Sequence, residues 1–184
     1  MAFTFLRLGM TSALAVLILM VAHVWAEATT INIVAIGASN TAGWGVAGQN
    51  AYPAQLEAML RAKGYEAHVT NAGVNFETTA GMLRRIDSAV PSGTNIVILQ
   101  PGGNDLRFFS TKEKRAANIA EMVSRLQGRN IKVIVFDPVI PRRYYRWGGI
   151  HLTVEGHTMF ASAVLPQVVA AIGQGSTDCS GDCR

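Results

Sequence analysis

The sequence predicts an α/β fold, a three-layer α/β/α sandwich around a mostly parallel sheet, and two observations support this prediction. Four short strand-like runs alternate along the chain with amphipathic helix patterns. Three of the four runs are nearly all apolar, which is typical of parallel strands that helices cover on both faces. Because crossovers between parallel strands are right-handed, the intervening helices come to lie on both faces of one sheet.

The strand predictions rest on runs such as INIVAI, NIVILQ and IKVIVF, in which most residues are apolar. The helix predictions rest on apolar residues that recur three or four positions apart, as Leu56, Met59 and Leu60 do. The predicted strands cover residues 31–36, 66–71, 95–100 and 131–136, and the predicted helices cover residues 52–63, 77–89, 112–127 and 153–172.

Residues 1–28 have the pattern of a secretory signal peptide. Arg7 precedes an apolar stretch over residues 8–22, and Ala26 and Ala28 form an A-x-A cleavage site. A retained N-terminal anchor is the alternative, but it would need a stop-transfer flank that this sequence does not show. We therefore expect an exported protein, periplasmic or secreted, that keeps no stable membrane span after processing.

The rest of the chain is predicted to form one domain over residues 29–175, followed by a polar tail over residues 176–184. The tail holds Cys179 and Cys183, and export would place both where disulfides persist. A small terminal disulfide and a tail without any chemical role are both open. Two cysteines without a nearby histidine fall short of a four-ligand zinc site, so no metal is predicted.

Charge and glycine patterns argue against two other kinds of partner. The chain has 16 Lys and Arg against 12 Asp and Glu, a modest net charge of +4, and its basic residues are scattered apart from a cluster at residues 142–146. A nucleic-acid partner is therefore not predicted. A G-x-G-x-x-G match at residues 43–48 begins well beyond the first strand and lacks the acidic residue of a dinucleotide site, so no cofactor is predicted. The oligomeric state is not indicated.

Small or polar residues follow each of the four predicted strands. Ser39 follows the first strand, Gly73 the second, Asn104 the third and Asp137 the fourth. In a parallel α/β sheet the ligand site lies at the carboxyl ends of the strands, so these residues are expected to lie close together. They are the first candidates for a functional site.

These residue types are suited to acyl transfer when they occur together. A serine after a strand is by itself a common helix cap, but a glycine lets its backbone approach a ligand and an asparagine donates two hydrogen bonds while neutral. Backbone and side-chain amides of this kind stabilise an oxyanion. His151, just before the last predicted helix, is the candidate base, whereas His68 and His157 are expected to have packing roles.

Four blocks, in this order, resemble the SGNH hydrolases, which are also called GDSL esterases and lipases. IGASNTAGWG resembles the block of the nucleophilic serine, here Ser39, and NAGVNFETT resembles the glycine block, here Gly73. GGND resembles the G-x-N-D block with Asn104, and GGIHLTVEGH resembles the D-x-x-H block with His151. The resemblance covers essentially the whole chain after residue 28, and it implies the flavodoxin-like form of the sandwich.

The resemblance also implies an activity and a set of roles. Ser39 is expected to attack an ester or thioester, His151 to carry the proton, and the amides of Ser39 and Gly73 with the Asn104 side chain to form the oxyanion hole. Asp105 is expected to brace a loop. Substrates in the family include lysophospholipids, acyl thioesters, aryl esters and acetylated sugars, and the sequence does not choose among them. The expected partner is thus a small ester, a lipid or an acylated glycan.

The chain departs from the family pattern at two positions. Ala38 stands where the family has Asp before the serine, and Gly148 replaces the Asp three residues before the histidine, which orients the imidazole. One possibility is a dyad of Ser39 and His151 in which a backbone carbonyl takes the place of the acid. Another is a substitute acid, either Asp137 or Glu155. A third possibility is a catalytically lapsed envelope protein that binds a lipid or a glycan.

The segment PVIPRRYYRWGG, at residues 138–149, is rich in aromatic residues and arginines. Tyr144, Tyr145 and Trp147 are candidates to line an acyl or glycan cleft, and the arginines are candidates to meet a phosphate or carboxylate. A solvated loop with packed aromatic side chains is the equally open alternative.

Overall fold

The computed structural model describes residues 30–108 and 110–173. The predicted signal peptide, residues 1–28, lies outside the described residues. The same holds for the predicted tail at residues 176–184, with Cys179 and Cys183.

The four predicted strands form one sheet in which every pair of neighbours is parallel, in the order β2-β1-β3-β4. Gly37 pairs with Gly73 on one side and with Gln100 on the other, so the carboxyl ends of three strands lie side by side. The strands are β1 Ile31–Gly37, β2 Ala67–Gly73, β3 Ile96–Gln100 and β4 Lys132–Val135.

Within residues 30–108 and 110–173, four long helices connect the strands and follow them, as the periodicity predicts. Thr78 and Thr111 cap two of these helices by accepting hydrogen bonds from the backbone N–H groups of Gly81 and Lys114. Two one-turn helices and two 3₁₀ turns, at Gly48–Asn50 and Arg142–Tyr144, were not predicted. The helices are α1 Ser39–Ala42, α2 Tyr52–Ala62, α3 Thr79–Ala89, α4 Asn104–Arg107, α5 Lys112–Gln127 and α6 Val154–Gly173.

The sheet separates two apolar cores, which makes the molecule the three-layer sandwich that the sequence predicts. Alternate residues of β1 face opposite sides, with Ile33 in one core and Val34 in the other. Side chains of α2 and α6 fill the first core, and side chains of α3 and α5 fill the second. Each fully buried aliphatic or aromatic side chain in these cores stabilises the fold by about 1.5–3 kcal/mol.

Helix α6 is long and apolar enough, at a mean hydropathy of 1.2, to satisfy the length and composition of a membrane span. Its buried face, with Phe160, Val164 and Val168, packs into the core that it shares with α2. The core helix of a folded domain meets the same criterion, and this packing accounts for the apolar composition of the buried face.

Candidate active site

Ser39 is the first residue of α1 and lies directly beyond the end of β1. The preceding strand residue must be glycine, because a Cβ at Gly37 would lie 2.0 Å from the Thr41 hydroxyl and 2.9 Å from the Gln100 carbonyl oxygen. Gly37 is not among the described glycines with a positive φ, so close packing demands glycine here. This packing presents the largely buried Ser39 on a fixed strand-to-helix turn.

Gly73 ends β2 and lies against the same short helix. A Cβ there would come within 2.2 Å of the Ala42 nitrogen, so glycine allows β2 and α1 to approach each other. The N–H of Gly73 donates to the Asn71 side chain, at 3.0 Å between nitrogen and oxygen. The predicted oxyanion donor is thus engaged locally in this structure.

Asn104 begins α4, and its side-chain amide donates to the carbonyl oxygen of Glu77 at 2.9 Å. This bond uses one of two amide hydrogens and leaves the other for a ligand. The neighbouring Asp105 is fully buried and accepts hydrogen bonds from the N–H and hydroxyl of Thr79, at 3.0 and 2.6 Å. The bracing role expected of Asp105 is therefore confirmed.

A cavity of about 330 Å³ lies at the carboxyl edge of the sheet. Four of the predicted site residues line it, namely Ser39, Asn104, Asp137 and Tyr145. Gly73 and His151 are not among its lining residues. Asn40, Gln100 and Arg107 line it as well, and the sequence interpretation did not single them out.

His151 lies beside this cavity, half-buried against an aromatic ring. The imidazole stacks on Trp44, with 5.5 Å between the ring centroids and 26° between the planes. The backbone N–H of Trp44 donates to the Ser39 carbonyl oxygen at 2.9 Å, so Trp44 contacts both predicted catalytic residues. Within the part of the chain that the structure describes, no hydrogen bond joins the Ser39 hydroxyl to the imidazole.

The electrostatic surroundings of His151 favour its neutral form. Burial lowers the pKa of the imidazole below its ordinary value of 6.5, and the positive charges of Arg107 and Arg146 lower it further. At neutral pH the ring is therefore a free base that can accept a proton.

The backbone on either side of His151 is held by the side chain of Asn40. The Asn40 amide donates to the Ile150 carbonyl oxygen at 3.2 Å, and its side-chain oxygen accepts the Leu152 N–H at 3.1 Å. The His151 carbonyl oxygen accepts the N–H of Arg146 at 2.7 Å, beside a single antiparallel bridge between Tyr145 and Leu152. His151 thus lies on one arm of a short hairpin that is attached to the residue after Ser39.

The turn of this hairpin contains Gly148, which stands where the sequence resemblance expects the acid. The Gly149 N–H donates to the Arg146 carbonyl oxygen at 2.9 Å, which closes a β-turn with Trp147 and Gly148 at its centre. Gly148 has φ +99° and Gly149 has φ +70°. A positive φ at the third residue of a turn, as in type II, is the reason that glycine is preferred there. The conformation of the turn therefore favours glycine at position 148.

The two proposed substitute acids have partners of their own. Asp137 accepts a hydrogen bond from the Gln100 side chain at 3.3 Å and pairs with Arg115 at 3.5 Å. Glu155 is exposed in the first turn of α6, where hydrogen bonds from the backbone and from the Thr153 hydroxyl lower its pKa. Neither carboxylate is hydrogen-bonded to His151 within the described residues.

A series of side-chain hydrogen bonds, largely buried, links the nucleophile turn to the neighbouring strands and to α2. The Thr41 hydroxyl donates to the Gln100 side-chain oxygen at 3.0 Å and lies 3.4 Å from the Tyr52 hydroxyl, whose pKa is raised by burial. The Gln100 side-chain amide donates in turn to Asp137, which lines the cavity. These hydrogen bonds join α2, the nucleophile turn, the end of β3 and the segment that follows β4.

The aromatic residues of the loop at 138–149 have different surroundings. Tyr145 lines the cavity, and burial together with the nearby charge of Asp137 raises its pKa. Tyr144 packs against the core and carries the Arg143 guanidinium 4.6 Å above its ring. Trp147 is fully exposed and lines a neighbouring groove with two arginines. One aromatic residue of this loop thus reaches the cavity of Ser39.

The other two histidines in the described chain differ from each other. His157 is fully buried, accepts the Tyr52 N–H at 3.2 Å, and has its pKa lowered by burial to about 4, so its packing role is confirmed. His68 is exposed and lies 3.2 Å from a Glu57 carboxylate oxygen. The packing role expected of His68 is wrong, because its position in β2 points toward solvent.

Several site residues were missed by the sequence interpretation, and some of them left a signal. Gln100 is the polar end of an otherwise apolar strand, and Asn40 directly follows the candidate nucleophile. Trp44 lies within the G-x-G-x-x-G match at residues 43–48. Phe76, at φ +64°, packs edge-on to Trp44 with centroids 5.6 Å apart, and Arg107 lines the cavity, but neither residue shows a sequence signal.

The described residues contain no cluster of three or more His, Cys, Asp or Glu side chains that could hold a metal ion. A parallel α/β sandwich with a polar cavity at the carboxyl ends of its strands is typical of α/β proteins that bind their ligands there. The GDSL-like lipase/acylhydrolase family model matches residues 35–147, more than half of the chain. The chain therefore belongs to this family. The match ends four residues before His151.

One curated relative and two solved structures are similar to this chain. Esterase TesA from Pseudomonas aeruginosa is 25% identical over 119 residues, which are 64% of this chain and 59% of that protein, so the chain spans less than two thirds of it. A crystal structure of TesA has a TM-score of 0.70 at 18% identity, covering 76% of this chain and 99% of the other, which shows the shared fold. AlinE4, an SGNH-hydrolase family esterase, is 34% identical with a TM-score of 0.54 over 59% of this chain and 61% of its own.

Proposed function

We propose that the protein is an exported serine esterase or lipase that hydrolyses a carboxylic ester or thioester through an acyl-enzyme. The observation that carries this proposal is the position of Ser39. It stands on a strand-to-helix turn at the carboxyl edge of the sheet, and it shares a cavity with the amide of Asn104. The family of the chain and the esterase names of its relatives support the same activity.

The proposed reaction uses groups of this chain alone. The Ser39 oxygen attacks the carbonyl carbon while His151 accepts the hydroxyl proton, and the oxyanion is held by the N–H groups of Ser39 and Gly73 and by the Asn104 side chain. The intermediate collapses and expels the alcohol or thiol, which takes the proton from His151. Water, deprotonated by His151, then cleaves the acyl-enzyme and regenerates the Ser39 hydroxyl.

The geometry sets two requirements for this reaction. The imidazole must come within about 2.6–3.2 Å of the Ser39 oxygen when substrate binds, since free enzymes often hold such pairs more loosely. The Gly73 N–H must exchange its Asn71 acceptor for the oxyanion. The second amide hydrogen of Asn104 needs no such exchange, so of these two donors Asn104 is the one available without rearrangement.

The partners of Asp137 favour the dyad over the substitute acid. Its carboxylate is already held by Gln100 and Arg115, and moving it to His151 would leave the Arg115 charge without that partner. In a dyad the imidazole is positioned by the backbone that carries it. The substrate is a small ester, a lipid or an acylated glycan, and Tyr145 is the proposed contact for it, with Tyr144 and Trp147 farther along the loop.

The second candidate function is a lapsed hydrolase that binds a lipid or a glycan. The lack of a hydrogen bond between Ser39 and His151 in the described chain favours it, together with Ala38 and Gly148. A fluorophosphonate serine probe distinguishes the two functions, because only an activated serine reacts with it.

We expect one phosphonyl adduct, located on Ser39 by mass spectrometry of the peptides. The Ser39→Ala variant should carry none, and Ser162→Ala, which changes an exposed serine of α6, should label like the parent. If Ser39 in the folded protein stays unmodified at probe concentrations that label an active serine esterase, the binding function is the better description.

A further inference from the structure

The Asn40 side chain joins the nucleophile turn to the segment that carries His151. Its amide and its oxygen bond backbone groups of Ile150 and Leu152, which lie 110 and 112 residues away along the chain. The two bonds bracket His151 on both sides. Asn40 itself is half-buried, directly follows Ser39 and lines the same cavity.

This contact is found where an orienting group is missing. With Gly148 in place of an acid, no described side chain accepts a hydrogen bond from the His151 imidazole. The ring is therefore oriented by its own backbone and by the Trp44 indole, on which it stacks. Within the described residues, the two Asn40 bonds are the only side-chain hydrogen bonds that connect α1 to the backbone on both sides of His151.

We propose that Asn40 is a positioning residue, which holds the His151 segment against the nucleophile turn in place of the missing acid. The inference rests on the proposed function, in which Ser39 and His151 exchange a proton. Asn40 acts through the backbone and adds no charge, so it sets the distance and direction between the two groups. It does not stabilise the imidazolium that forms during attack.

The first experiment replaces Asn40 by Ala and measures kcat and KM on a short-chain nitrophenyl ester. A misplacement of about 1 Å costs up to about a hundredfold in rate, so we expect kcat to fall about tenfold to a hundredfold. KM should change less than about twofold, because positioning acts on the proton transfer and not on substrate affinity. The rate of phosphonylation at Ser39 should fall by the same factor as kcat.

A matched control is Asn95→Ala, which also removes a side-chain acceptor from a distant backbone N–H, that of Asn32 at 2.8 Å. This bond lies at the amino ends of β1 and β3, whereas the cavity lies at the carboxyl ends of the strands. Asn95→Ala should keep the parent's kcat, and thermal unfolding should show comparable losses in the two variants. Asn40→Asp keeps the acceptor for the Leu152 N–H and should recover part of the lost kcat.

The decisive measurement repeats Asn40→Ala in a His151→Ala background. If Asn40 acts through His151, its removal there should change the residual rate less than about twofold. A further loss by the full factor would overturn the positioning role, as would a rise in KM that accounts for the whole effect. If His151→Ala alone keeps full activity, the role of base that the proposed mechanism gives to His151 is wrong. If His151→Ala is inactive while Asn40→Ala is fully active, only the positioning role is wrong.

Discussion

Gly148→Asp places a carboxylate where the sequence resemblance expects the family's acid, and we expect it to raise esterase kcat. Loss of this acid from a serine hydrolase costs about ten-thousandfold in kcat, and part of that deficit should be recoverable. A Cβ at Gly148 would have no atom within 4 Å, so the new side chain has room to turn toward His151. We expect a gain of at least about tenfold, which corresponds to about 1.4 kcal/mol of transition-state stabilisation.

The backbone limits this gain. Gly148 has φ +99°, and a non-glycine residue in such a conformation costs about 1–3 kcal/mol. For a domain of this size the melting temperature falls about 2–4 °C for each kcal/mol, so Gly148→Asp should melt several degrees below the parent. Its kinetics are therefore measured well below that temperature, with thermal unfolding followed beside them.

The chain offers two matched controls for this variant. Gly148→Asn introduces the same strain without a charge, and Gly149→Asp adds the charge one residue away, at φ +70° and equally open to solvent. Only Gly148→Asp should gain rate. Because a nearby carboxylate favours the imidazolium, it should also raise the pKa of His151 and move the acid limb of the pH profile of kcat/KM to higher pH.

Equal rates for Gly148→Asp and both controls, all folded, would refute this reasoning. In that case either another acid already fills the role, with Asp137→Asn the next variant to measure, or His151 is not the base. A gain shared by Gly149→Asp would show instead that negative charge near Arg146 is sufficient, since that arginine lowers the pKa of His151.

Three further predictions concern the oxyanion hole, the base and export. Asn104→Ala should lower kcat about a hundredfold to a thousandfold, and an unchanged rate on a nitrophenyl ester would remove Asn104 from the mechanism. Arg107→Gln removes one cause of the lowered pKa of His151, so the acid limb of kcat/KM should move to higher pH; an unmoved limb would mean that His151 is not the titrating base. Intact mass after cell fractionation should place the mature N-terminus at Thr29 or Glu27, and a full-length cytoplasmic product would contradict export.

The sequence predicted the strands and the four long helices because their hydrophobic patterns are long enough to show a period. Each of these elements lies within two residues of its predicted bounds, and α5 matches its prediction at Lys112 and Gln127. The one-turn helices α1 and α4 were missed because four residues are too few for a helical period. They form at strand ends, where the packing of Gly37 on Thr41 and the bonds from Thr79 to Asp105 determine the backbone.

The cavity was predicted in part, for a reason that lies in the topology. Strand-end residues of a parallel sheet meet at one edge, which is sufficient to bring Ser39, Asn104 and Asp137 together. The position of His151 was not predictable in the same way, since it follows a loop and not a strand. The position of His151 depends on the two Asn40 bonds, which join residues more than a hundred positions apart. It also depends on the hairpin turn, whose shape rests on the positive φ of Gly148.

The backbone at Gly148 links the shape of the hairpin to the glycine that stands where the sequence resemblance expects an acid. A turn with φ +99° at that position favours glycine, and it lets the Arg146 N–H bond the His151 carbonyl oxygen. An acidic residue at position 148 would strain this turn. The turn that holds the His151 backbone therefore favours glycine, which gives the imidazole no negative charge as a partner. In the proposed mechanism, the imidazolium that forms during attack lies near Arg107 and Arg146 without an opposing carboxylate in hydrogen-bond contact. Formation of that cation should limit the rate of acylation, while the lowered pKa keeps the base neutral at a more acidic pH than an ordinary histidine would allow.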